Sequence, residues 1–83
     1  MTDVRIAAEE IMGQAERERA WGDKEFASAV DEIAGALAVA EDGCLDKAER
    51  CLLSALAHLG KARTARARAE AQESIAHNLM AED

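Results

Sequence analysis

Cys44, Cys51 and His58 are the residues in this 83-residue chain whose chemistry is easiest to imagine, since thiolates and an imidazole at intervals of seven suggest a soft-metal site. The spacing argues otherwise. On one helix the three would spread over about 20 Å, whereas zinc holds its ligands at ~2.0–2.3 Å. The two cysteines would also lie about 10 Å apart, beyond the ~7 Å reach of a disulfide. Packing along a helical seam, where cysteine behaves as a small apolar residue, is the expectation for all three, with no metal and no cofactor.

The carboxylates are the second candidate. All-helical nucleotide pyrophosphatases of the MazG type hold magnesium through EExxE followed by ExxD. Glu9 and Glu10 resemble the start of that pattern, but its third acid falls on Gly13, and Glu32 is followed three residues later by Gly35. Hard cations need several oxygen ligands, so the resemblance implies at most a degenerate relative that binds nucleotide. Ser28, Ser54 and Ser74 lie in helical stretches without the glycine turns that present a nucleophile. We therefore expect a protein that is not an enzyme.

The third candidate is basic. "KARTARARAEAQ" holds Lys61, Arg63, Arg66 and Arg68, four of the ten basic residues. They do not share one helix face, and Glu70 and Glu73 lie one and two turns from Arg66. Interleaved aromatics, on which single strands stack, are missing from the run. Residues 1–46 carry twelve acids against four bases within a net charge of −7, which repels phosphate backbones. A nucleic-acid contact through Lys61–Arg68 is thus the weakest alternative.

That acidic half fits a basic partner better. Its size and charge resemble those of small acidic helical inhibitors of phage origin, anti-CRISPR proteins among them, which occupy basic nucleic-acid grooves of host systems. The resemblance implies an inhibitor or adaptor that masks a basic surface on a partner protein. The expected contact residues are Glu9, Glu10, Glu16, Glu18, Asp23 and Glu25, with Trp21 either as the apolar anchor or as a plug at the end of the core.

What must position these residues is helix. Proline is absent, aromatics make up 2% of the chain, and apolar residues recur at helical spacing. The patterns predict a single all-α domain spanning residues 1–83: a bundle or hairpin of three to four helices over about 3–21, 24–41, 45–59 and 61–81. Val4, Ala8, Ile11 and Ala15 mark the first helix, which should stop at Gly22. Phe26, Val30, Ile33, Leu37 and Ala40 mark the second, stopped at Gly43. Leu45, Ala48, Leu52, Ala55, Leu56 and Leu59 mark the third, as an antiparallel hairpin partner of the second. The segment "GCLDKAERCLLSALAHL" also resembles the turn and second helix of a tetratricopeptide repeat, through Gly43, Leu45, Ala48, Leu52, Ala55 and Leu56.

At Gly60 the sequence leaves a break and a continuous helix both open. Continuity is favoured by Ala48, Ala55, Ala62, Ala69 and Ala76, an alanine at every seventh position, which predicts close docking of a partner helix or a second copy and hence a homodimer. The N-terminal stretch has neither a basic start nor an apolar run, so no membrane association is expected and a cytoplasmic location is.

Overall fold

The computed structural model describes residues 2–82, and within them the chain forms two α-helices: α1, Thr2–Glu41, and α2, Leu45–Glu82. The pair forms a hairpin measuring 63 × 13 × 12 Å over its Cα atoms. The expectation of three to four helices is thus corrected to two, and the bundle to an extended hairpin.

Gly43 ends α1 as its sequence position predicts. With φ at +84°, it lies in the left-handed region that glycine enters without a Cβ clash. Its N–H bonds the Ala40 carbonyl and the Cys44 N–H bonds that of Val39, both at 2.9 Å, a Schellman closure that satisfies two terminal carbonyls. The Cys44 carbonyl accepts from Ala48 at 3.0 Å and so starts α2, with Asp46 in the first turn favourable to the helix dipole.

Gly22 and Gly60 stop nothing. A glycine inside a helix costs only about 1 kcal/mol relative to alanine, which tertiary packing readily overrides. Gly22 continues the helix because the inner face of α1 runs straight through it. Ala8, Ala15, Gly22, Ala29 and Ala36 are all buried, one every seven residues. An added Cβ at Gly22 would sit 3.2 Å from the Ala65 Cβ and 3.5 Å from the Ala62 carbonyl oxygen. The glycine is therefore a point of close approach between helices.

On α2 the matching line is the alanine seam: Ala48, Ala55, Ala69 and Ala76 are buried, Ala62 is half-buried, and Ala65 is buried beside them. The partner helix that this seam was expected to receive is α1 of the same chain. Subtracting two Cα radii, about 4.6 Å, from the 13 Å width leaves axes about 8 Å apart, the close end of the usual range of about 8–10 Å. Small residues at every seventh position permit that approach along the whole length.

The core is accordingly unlike the one the leucine pattern suggests. Among the described residues every buried hydrophobic is an alanine, and no large side chain is fully buried. Phe26, Val30, Ile33 and Leu37 on α1, and Leu45, Leu52 and Leu56 on α2, lie exposed on the flank of the hairpin. The two helices are indeed antiparallel neighbours, but they meet through their small residues. The alanine line spans both helices entirely, whereas the bulky stripe covers only the half nearest the turn.

Candidate interaction surfaces

Contacts across the hairpin fix its register. Gly22 approaches Ala62 and Ala65, and Glu25 contacts His58, so the numbers of facing residues sum to about 84. By that register Ala8 stands level with Ala76, Ala15 with Ala69, Ala29 with Ala55 and Ala36 with Ala48. A second row of α1, Val4, Ile11, Glu18, Glu25, Glu32 and Val39, is half-buried along the edge of the same seam.

Three glutamates thus occupy the middle of an interface edge. Glu25 is satisfied by His58, whose Nδ1 lies 2.5 Å from Oε2, with both side chains partly buried. Gln72 stands at the level of Ile11, and its Oε1 is buried without a partner. Cys51 is half-buried and Cys44 exposed, both as free thiols. His58 is thus engaged with a carboxylate across the hairpin. Among the described residues no three His, Cys, Asp or Glu side chains gather as a metal-holding group.

One flank of the hairpin is marked by Arg19, which donates from Nε and Nη2 to the two carboxylate oxygens of Glu73 at 2.8 and 2.6 Å. This fork-to-fork pair is exposed. The Arg19 hydrogen bond, reinforced by its charge and opposed by desolvation, holds the Glu73 carboxyl below the usual carboxylate range; the same hydrogen bond raises the Arg19 guanidinium. A shallow depression on this flank is lined by Arg19, Gly22, Asp23, Ala62 and Arg66.

Moving toward the turn in steps of seven keeps to that flank, because the seam itself repeats every seven residues. Arg19 is followed by Phe26 and Ile33, and Asp23 by Val30 and Leu37. On α2, Glu73 and Arg66 are followed by Leu59, Leu52 and Leu45. The flank is therefore charged in its outer half and apolar in its turn-proximal half. Seven exposed apolar side chains, Phe26, Val30, Ile33, Leu37, Leu45, Leu52 and Leu56, share this half of the flank with the half-buried Leu59.

The outward side of α1 carries a different surface. A groove lined by Ile6, Glu9, Glu10, Gly13, Gln14 and Arg17 adjoins, through Gln14 and Arg17, a second one that Trp21, Glu18, Arg68 and Gln72 complete. Trp21 is 42% exposed and Ile6 49%.

Of the residues the sequence nominated for a partner, Glu9, Glu10, Glu16 and Asp23 are exposed on α1. Glu18 and Glu25 are half-buried toward α2, the latter engaged by His58. Trp21 stands mid-helix beside Arg68, where the sequence reading placed it at a junction of two helices. The four basic residues are dispersed, with Arg66 on the Arg19 flank, Arg63 at the outer edge of that flank beside Gly60, Thr64 and Ala67, Arg68 beside Trp21, and Lys61 exposed elsewhere on α2.

The missed feature is the second small-residue line, on α1. Its signal was present as Ala8, Ala15, Gly22, Ala29 and Ala36 at sevens, masked because Gly22 reads locally as a stop. Among the described residues no helix is long and apolar enough to cross a membrane. Comparison with protein-family models, with curated proteins and with solved structures returns no match.

Proposed function

We propose that the chain is a non-catalytic protein–protein interaction module, an adaptor or inhibitor, that docks the outward side of α1 onto a basic surface of a partner protein. The observation that carries this reading is Trp21. The only tryptophan of the chain is left 42% exposed in the middle of α1, in a groove lined by Arg17, Glu18 and Arg68 that continues through Gln14 and Arg17 to Glu9 and Glu10. Aromatic anchors flanked by charge are the usual energetic centres of such contacts; Arg17 and Arg68 stand beside Trp21 with Glu18, while the net acidity of residues 1–46 steers a basic partner toward the helix. Glu9 and Glu10 supply charge at the groove and Trp21 and Ile6 apolar contact; Glu16 falls on the line of Asp23 and adds charge only at long range. Glu25 belongs to the hairpin's own seam.

The test compares the wild-type chain with Trp21→Ala and with the triple variant Glu9→Gln/Glu10→Gln/Glu16→Gln as affinity baits, followed by calorimetric titration of the purified captured protein against all three and by Trp21 fluorescence where the tryptophan is present. The expected result is a partner whose binding shifts Trp21 emission, weakens with salt and falls at least tenfold in both variants. A partner bound equally by all three baits, or a binding heat with magnesium and nucleotide instead, would overturn the reading.

A further inference from the structure

The apolar flank raises a separate question, since it lies on another side of the hairpin from the Trp21 groove. We infer that it is covered by a second copy of the same chain, docked antiparallel so that the turn-proximal halves overlap as a four-helix bundle and the terminal halves project in opposite directions.

Area supports that occupant. Phe26, Val30, Ile33, Leu37, Leu45, Leu52 and Leu56 are 38–71% exposed, which leaves on the order of 700 Å² of apolar surface, close to the ~800 Å² that each partner contributes to a standard interface. Patches of this size are uncommon on monomers. Among the described residues the hairpin also has no large side chain fully buried in its own core, and a second copy supplies what the alanine seam cannot. Two identical patches facing each other bury leucine against leucine, as an isologous two-fold contact requires.

Charge decides the orientation. The turn carries Glu41, Asp42 and Asp46, while the other end of the patch is close to neutral, Arg63 and Arg66 lying there with Asp23 and the Arg19–Glu73 pair. A parallel arrangement would set the two acidic turns side by side. Rotation about a two-fold near Ile33 and Leu52 instead separates the two acidic turns and sets each against the near-neutral end of the other copy's patch, and the bulky residues still superpose. At 1.5 Å per residue the overlap is about 33 Å, so two 63 Å hairpins make a particle about 90 Å long.

Cys44 is a native probe of this geometry, being exposed at the turn. In a Cys51→Ala background, which spares the thiol under test, nitroxide labels on the two copies of Cys44 should lie about 30 Å apart in the antiparallel arrangement and within about 15 Å in the parallel one. Sedimentation should give twice the 8.9 kDa chain mass, and Leu52→Asp/Leu56→Asp should yield monomer or unfolded chain where the wild type is dimeric. A label separation under 15 Å, or a dimer indifferent to the two aspartates, overturns the proposal. So does a wild-type chain that stays monomeric at about 100 µM, above the micromolar-to-picomolar range of interfaces this size; the face would then belong to another occupant. Should the aspartate variant unfold, the label distance on the folded protein still decides.

Discussion

At Gly22 and Gly60 the same residue type has opposite meanings. Gly60 is exposed in α2, and a Cβ placed there meets nothing within 4 Å. Gly60→Ala should therefore stabilise the hairpin by about 1 kcal/mol through helix propensity, raising Tm by about 4–8 °C for a chain of this size. At Gly22 the new Cβ would press on Ala65 at 3.2 Å, and close helix approach consumes the gain. Gly22→Ala should fall short of the Gly60 effect, and Gly22→Val should destabilise by about 1–3 kcal/mol, the cost of overpacking. Thermal denaturation of the three variants, followed by circular dichroism, checks the ordering; a Gly22→Val protein as stable as wild type would falsify the close seam.

At the scale of the helices, charge on the flank adjusts what the seam establishes. The Arg19–Glu73 pair links the two helices far from the turn, and its folded-state carboxyl is depressed by the Arg19 hydrogen bond and charge. A depressed carboxyl contributes fully above its unfolded value and loses that contribution as pH falls through its folded value. Arg19 is exposed and Glu73 partly so, so the effect is small and screened by salt. Relative to wild type, Glu73→Gln should thus be slightly less stable at neutral pH and low salt. The difference should vanish both below the carboxylate range and in 1 M salt, as urea titrations across pH would show. A difference that survives salt would mean that Glu73 contributes through packing.

How much of these helices was legible follows from which signals are local. The stop at Gly43 was readable because "EDG" sits where both apolar stripes end, and the left-handed φ confirms the reading. The alanine seam of α2 was readable as a seven-residue repeat. The stop at Gly22 was misread because glycine's cost in a helix is small, whereas its benefit, letting Ala62 and Ala65 approach, depends on residues forty positions away. For the same reason Phe26, Ile33 and Leu52 read as core: periodicity says that a face is covered, and says nothing of whether the cover belongs to the same chain. The acidic candidates were visible as a run, but Glu18 and Glu25 turn toward α2 only because the seam rotates them there.

For the whole molecule the decisive imbalance lies between a long, thin shape and a core of alanines. A hairpin of this kind holds its helices together by many small contacts, each burying little area, while its largest apolar side chains stay at the surface. If a second copy covers the flank as inferred above, these side chains leave water only in the associated state, and folding and association become one equilibrium. Mass action then makes apparent stability depend on protein concentration. Thermal unfolding should move to higher temperature by several degrees for each tenfold increase in chain concentration, and unfolding and dissociation should coincide. Dilution below the dissociation constant should lose helicity together with the dimer. A transition temperature that holds constant over a hundredfold dilution would show that the alanine seam alone supports the fold and that the flank is covered only in passing.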